Sequence, residues 1–297
     1  MVVPLHLRPR SGPYSGLTLR SAKRFLARQF ADADLPFADE DALDLLLSIT
    51  GLSRTDYTLK GTDFISEAAF DALQAAAQRR LSGEPVDRIL GFRDFYGRRF
   101  VIDNVLSPRG DTEVLLLAAL DAVRDRSAPQ LLDLGTGSGA LAISILCERP
   151  DARVTATDLS RDALETAARN AETHGVADRL TLIRSDWFAS LPEARYDAIL
   201  SNPPYITTQA MTSLSREVSE HDPHQALHGG TDGLDPYRSL IPGSVAFLKR
   251  GGWLGVEIGH DQRDAVMSLL CAANFARVES QTDPAGLDRL VSGVRPV

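Results

Sequence analysis

After Pro129 the chain settles into a regular alternation, in which short apolar runs of strand length are followed by stretches with helical spacing. The runs fall at residues 131–134, 153–157, 180–184, 198–201 and 253–258, with two more at 276–280 and 287–291. Helices are expected at 140–147, 161–174, 236–248 and 262–273. Strands separated by helices pair in parallel, because the crossover helix returns the chain to the same end of the sheet, and those helices cover both faces. The last two runs have no helix between them and read as a terminal hairpin. The pattern therefore sets an open α/β sheet, and ligands of such sheets bind at the carboxyl ends of the strands.

Four consecutive strand ends carry residues with chemistry in them. The first runs into Asp133-Leu134-Gly135-Thr136-Gly137-Ser138-Gly139 and then a helix. Glycines at such a turn let the backbone approach a ligand closely. Gly135, Gly137 and Ala140 also meet the dinucleotide spacing G-x-G-x-x-G/A, so the loop alone leaves the cofactor class open. Asp158 ends the second strand, where an acid binds ribose hydroxyls in either class, or caps the helix that follows Ser160. Ser185-Asp186-Trp187 ends the third. An Asp and a Trp there suit an adenine, by hydrogen bond and by stacking; the plainer reading is a buried tryptophan.

The fourth strand ends in Asn202-Pro203-Pro204-Tyr205. Asn-Pro and Pro-Pro both mark turns. This one also suits alkylation of a planar amide or amidine nitrogen, whose lone pair is delocalised and therefore a poor nucleophile. The Asn202 side-chain oxygen and a main-chain carbonyl beside the prolines can accept both N–H groups, orienting the lone pair and stabilising the charge that grows on nitrogen. Two prolines fix φ and remove two donors, leaving a stiff turn rich in acceptors. Tyr205 offers a flat face to a planar group.

Ahead of the sheet the periodicity is helical. Leu19, Ala22, Phe25, Leu26 and Phe30 follow a Thr18 cap, a second run over 42–49 stops at Gly51, and a third after Ser66 stops at Gly83. Residues 88–106, broken by Gly91 and Gly97, read as a hairpin, and Asp111 or Thr112 as the cap of a helix reaching Val123. The expected organisation is a flexible extension over 1–17, a helical domain over 18–84, a hairpin linker over 85–110 and an α/β domain over 111–297.

Charge and composition narrow the function. The net charge is −8, and residues 111–297 alone carry −9. A protein that grips nucleic acid through phosphates shows a basic patch, so the most acidic part of this chain disfavours a nucleic-acid substrate. No run approaches the roughly 18 apolar residues of a membrane span. The first residues lack the apolar core of a secretory signal. Two distant cysteines, Cys147 and Cys271, fit a reducing cytoplasm. His221, His224 and His228 sit close in sequence, but Pro223 interrupts any helix that would align them, so no metal site is expected.

Together these motifs resemble the release factor glutamine methyltransferases, over nearly the whole chain from about Thr18. Besides the glycine loop and Asn-Pro-Pro-Tyr, the matches are Gly83-Glu84-Pro85-Val86 with Ile89-Leu90-Gly91, Val105-Leu106-Ser107-Pro108-Arg109 before Asp111-Thr112-Glu113, Ala226-Leu227 with Gly229-Gly230 and Asp232-Gly233-Leu234, and the run from Trp253 to Gly259. The chain departs from the family pattern at Arg88, Gly110 and Asp222. The resemblance implies a Rossmann-like domain with a mostly parallel seven-stranded sheet, preceded by a small helical domain and a β-hairpin. It implies S-adenosylmethionine held by Gly135, Thr136, Gly137, Ser138, Gly139, Asp158, Trp187 and Asn202, and a target glutamine held by Asn202, Pro203, Pro204 and Tyr205, with Asn202, Pro203 and Tyr205 serving the transfer itself. The implied partner is a class I peptide chain release factor, met by a monomer in the cytoplasm without nucleic acid, membrane or metal. A ribosomal-protein glutamine and an adenine N6 are the alternative targets.

Overall fold

The computed structural model describes residues 17–297; the amino-terminal extension up to residue 16 lies outside the described residues. The chain divides into two compact units between Leu90 and Gly91.

The first unit is a bundle of α1 (Leu19–Asp32), α2 (Ala38–Thr50), α3 (Arg54–Lys60), α4 (Glu67–Leu81) and α5 (Val86–Leu90). Thr18 starts α1 as expected: its hydroxyl accepts from the Ser21 N–H, and the Ser21 hydroxyl accepts from the Thr18 N–H. The helical spacing puts Leu19, Ala22, Leu26 and Phe30 on one buried face, against Ala42, Leu45 and Leu46 of α2 and Leu73, Ala76 and Ala77 of α4. Each fully buried Leu or Phe contributes about 1.5–3 kcal/mol. Arg80, 3 % exposed, is paired with Asp41 at 2.7 Å, which ties α4 to α2.

Residues 85–110, expected as one linking hairpin, are shared between the units. Residues 86–90 turn into helix rather than strand, because Pro85 suits a helix start and Ile89 and Leu90 pack on the helical core. Gly91, at φ 77°, ends that turn. The hairpin itself is short, β1 (Phe92–Phe95) and β2 (Arg98–Val101), and belongs to the second unit. Phe95 and Phe100 pack there with Leu115 and Leu116 of α6 (Glu113–Ala122).

The rest of that unit is β3 (Gln130–Leu134), α7 (Ala140–Glu148), β4 (Arg153–Asp158), α8 (Arg161–Thr173), β5 (Leu180–Arg184), β6 (Tyr196–Ser201), α9 (Thr208–Met211), α10 (Arg216–His221), α11 (Asp235–Phe247), β7 (Leu248–Glu257), α12 (Arg263–Ala272), β8 (Ala276–Thr282) and β9 (Asp288–Val294). Seven strands form one sheet in the order β5-β4-β3-β6-β7-β9-β8. The first five pair in parallel, and β9 runs antiparallel between β7 and β8. β6 is buried along its whole length, as a central strand covered on both faces must be. The short helices α9 and α10 were not visible in the sequence pattern. No helix among the described residues is long and apolar enough to cross a membrane.

Candidate active site

The sheet order reverses between β3 and β6, with β4 and β5 to one side and β7 to the other. A crevice opens at the carboxyl ends of strands at such a point. Leu134 pairs with Ser201 across it, and the Ser201 hydroxyl donates to the Leu134 carbonyl at 2.7 Å. Gly135 and Asn202 are the next residues on their strands, so the glycine loop and the Asn-Pro-Pro-Tyr turn leave the sheet side by side. A pocket of about 440 Å³ lies there, lined by Gly135, Gly137, Asp158, Trp187, Asn202 and Pro204. Further parts of its wall come from residues 104–106 after the hairpin, from Pro223, Gln225, Ala226 and His228, and from the start of α11.

Asp158 is fixed by the backbone around it. One carboxylate oxygen accepts from the Gly137 N–H and the other from the Ser160 N–H, both at 2.9 Å. Ser160, not Asp158, caps α8, its hydroxyl accepting from the Ala163 N–H. Each Asp158 oxygen keeps a lone pair for a further donor. Burial pushes this carboxyl up, against the pull of those N–H groups. Trp187, half-buried with φ 44°, lies over Gly135, where a Cβ would stand 3.7 Å from its ring.

Thr136, Ser138 and Gly139 stand behind the lining. The Thr136 hydroxyl donates to Asp133 at 2.7 Å, the Ser138 carbonyl accepts from the Asn170 amide at 2.8 Å, and Gly139 begins α7 at φ 80°. Asp133 is fully buried, and its second oxygen has no hydrogen-bond partner among the described residues. Burial, joined by the Asp158 charge and opposed by Thr136, pushes the Asp133 carboxyl up to about 7. An unfolded Asp titrates near ~3.9, so the folded state binds this proton more tightly; the stability it contributes is full below that value and is lost as pH rises through about 7. Asp133→Asn keeps an acceptor for Thr136 and cannot ionise. The melting temperature of wild type should therefore fall relative to that variant as pH rises from about 4 to about 7. A constant difference across that range would refute the assignment.

The Asn202 amide nitrogen donates to the Thr112 hydroxyl at 3.2 Å. Thr112 was expected, with Asp111, as a helix cap. Thr112 does occupy the N-cap position of α6, after a 3-10 turn over 110–112, but its side chain makes no capping bond and, 4 % exposed, points inward. The buried Glu257 carboxyl lies close enough to the Thr112 hydroxyl for that hydroxyl to favour its charged form. Pro203 is buried and Tyr205 half-buried. Burial and the nearby Glu257 push the Tyr205 phenol up to about 12, so it stays neutral at physiological pH.

The glycine-rich stretch 229–233 packs onto the back of the turn. A Cβ at Gly229 would stand 2.7 Å from the Tyr205 Cα, and one at Gly233 2.4 Å from the Tyr205 carbonyl oxygen, so only glycine permits this approach. Gln262 locks both pieces: its amide nitrogen donates to the carbonyls of Tyr205 and Gly233, each at 3.1 Å, and its oxygen accepts from the Gly259 N–H and the Tyr237 hydroxyl. Thr112, Asn170, Glu257 and Gln262 were not singled out from the sequence as site residues, although Thr112 and Glu257 lie inside matched motifs. Of the three histidines, His228 meets the Thr208 hydroxyl at 2.9 Å, and its ring lies 5.5 Å from that of His224, tilted by 42°. The described residues hold no group of three or more His, Cys, Asp or Glu side chains placed for a metal.

Residues 21–91 match the PrmC N-terminal domain family and residues 111–231 the Methyltransferase small domain family. The release factor glutamine methyltransferase of Bradyrhizobium diazoefficiens is 43 % identical over 96 % of this chain and 98 % of its own. That of Cereibacter sphaeroides is 45 % identical over 93 % of this chain and 98 % of its own. Among solved structures, the hMettl16 catalytic domain in complex with MAT2A 3'UTR hairpin 6 superposes with a TM-score of 0.53 at 14 % identity, covering 76 % of this chain and 81 % of that one, a likeness of fold alone. The resemblance drawn from the motifs is thus borne out along the length of the sequence, and the chain belongs to the release factor glutamine methyltransferase family.

Proposed function

We infer that the protein transfers a methyl group from S-adenosylmethionine to the side-chain amide nitrogen of a glutamine in a class I peptide chain release factor. The observation that carries this reading is the adjacency of the glycine loop and the Asn-Pro-Pro-Tyr turn at the switch point, both bordering one pocket. The pocket fits the cofactor: Gly135 and Gly137 bring bare backbone to its wall, Trp187 supplies a flat apolar face, and the Asp158 carboxylate retains acceptor capacity for ribose hydroxyls. When bound, the cofactor supplies an electrophilic methyl on a charged sulfur.

The chain's own residues do the rest. The Asn202 amide is turned with its nitrogen toward Thr112, which leaves its oxygen to accept one N–H of the target glutamine. The Pro203 carbonyl accepts the other, and Tyr205 packs against the amide plane. Holding both N–H groups fixes the amide plane so that the lone pair, perpendicular to it, faces the methyl group, and the two acceptors stabilise the positive charge that develops. The neutral Tyr205 phenol is no base at working pH, and none is needed before attack, because the alkylated nitrogen becomes acidic. The helical unit would dock the release factor, with the enzyme acting as a cytoplasmic monomer.

A protein substrate, rather than the adenine that a flipped-base enzyme would take, is favoured by the −9 charge of residues 111–297. Incubation with labelled cofactor, release factors, ribosomal proteins and an adenine oligonucleotide, followed by mass spectrometry, tests the reading. Label should enter one release-factor glutamine and survive nuclease treatment. Equal transfer to a ribosomal protein or to the oligonucleotide would overturn it.

A further inference from the structure

The amide of Asn202 is symmetric in shape but not in chemistry: turned over, it would present two donors to the substrate instead of an acceptor. Something must choose the orientation. Its nitrogen meets Thr112 at 3.2 Å, yet a hydroxyl can donate as readily as accept, so Thr112 alone would tolerate either face. The choice is made one step further back. Glu257 sits at the end of β7, 1 % exposed, beside the Thr112 hydroxyl, and one of its carboxyl oxygens has no hydrogen-bond partner among the described residues.

We infer that Thr112 and Glu257 are positioning residues for the transfer, forming a one-way chain in which Asn202 donates to Thr112 and Thr112 donates to Glu257, so that the Asn202 oxygen is held toward the target amide. A buried carboxyl is the strongest acceptor within reach of the hydroxyl, and it commits the Thr112 proton. The Thr112 oxygen then offers only a lone pair to Asn202, which must answer with N–H. Burial pushes the Glu257 carboxyl up to about 7, with Thr112 pulling the other way; the carboxylate form can only accept, and it is this form that fixes the direction of the chain. The device also favours a primary amide as target, because the held oxygen accepts hydrogen bonds and repels the oxygens of a carboxylate.

Thr112 and Asn202 are 90 residues apart in sequence and Thr112 and Glu257 lie on different elements, so the chain is a tertiary feature of the site. The inference rests on Asn202 acting as the amide acceptor, and the test separates the two. Single-turnover methyl transfer to release factor is measured for Thr112→Val, Thr112→Ser and Glu257→Met, each alone and in the Asn202→Ala background. S-Adenosylhomocysteine affinity and melting temperature are measured alongside.

Thr112→Val and Glu257→Met should each slow transfer on the order of 10-fold while cofactor affinity holds within about two-fold. Thr112→Ser should restore the wild-type rate. In the Asn202→Ala background the same changes should cost nothing further, because the group they position is gone. If Asn202→Ala itself leaves the rate unchanged, the acceptor reading fails. If Asn202→Ala is slow but Thr112→Val and Glu257→Met are not, or if their losses add to that of Asn202→Ala, the positioning chain is overturned and the two residues only pack. Should Thr112→Val not fold, Glu257→Met and the serine rescue decide the matter.

Discussion

Asn202→Ala should lower the single-turnover rate of methyl transfer on the order of 10²–10³-fold, the loss seen when one preorganised hydrogen-bonding group is taken from a developing charge. The side chain lies at the rim of the pocket, and its recorded hydrogen bond is to Thr112, so the sheet and most of the pocket wall should survive its removal. Cofactor affinity should consequently change far less than the rate. Asn202→Asp is a sharper probe. It keeps an acceptor but replaces the N–H that meets Thr112 with an oxygen, and that oxygen faces a hydroxyl committed to Glu257. Partial activity with poorer discrimination between glutamine and other amines is expected. A folded, cofactor-bound Asn202→Ala protein that transfers at the wild-type rate would reduce the Asn-Pro-Pro-Tyr segment to a simple turn.

Asp158→Ala should act on binding rather than on transfer. A carboxylate accepting two hydroxyl hydrogen bonds gains about 1.5–3 kcal/mol from each, so calorimetric titration with S-adenosylhomocysteine should show affinity falling on the order of 10²-fold or more. The structure adds a second cost. Gly137 and Ser160 both donate to this carboxylate, so the variant also frees the glycine loop and the start of α8. Asp158→Asn separates the two contributions, since it keeps one acceptor and loses the charge; its affinity should fall between wild type and the alanine variant. Wild-type affinity for the alanine variant would remove Asp158 from the cofactor site.

The strands, the major helices and the four loops at the sheet rim were legible because each rests on a local pattern: apolar runs of strand length, helical spacing, glycine after a strand, acid at a strand end. What escaped was long-range. Thr112 looks like a cap in its own neighbourhood, whereas its hydrogen-bond partner Asn202 comes from the turn after β6 and its buried neighbour Glu257 from the end of β7. Gln262 was read as the first residue of a helix, whereas its side chain bonds to two loop carbonyls from distant parts of the chain. Such bonds to backbone leave no compositional trace, because any loop residue offers the same carbonyl. Ile89 and Leu90 misled in the opposite direction. Their apolar character serves the helical core, and the sequence alone cannot tell which core an apolar residue joins.

Asn170 sets where this chain can be cut and recombined. Its side chain, 1 % exposed on α8, accepts from the Val101 N–H and donates to the carbonyls of Val101 and Ser138, tying the last strand of the hairpin to the glycine loop. The segment that follows the hairpin, residues 104–106, then forms one wall of the pocket. A chimera that exchanges the amino-terminal part with that of a relative would therefore keep its pocket whole if joined between Leu90 and Gly91. A junction at residue 110, just ahead of the α/β repeat, would transplant a foreign strand onto Asn170 and a foreign wall into the pocket. Ancestry of the docking unit and ancestry of the pocket can thus be mixed, but the hairpin must travel with the sheet.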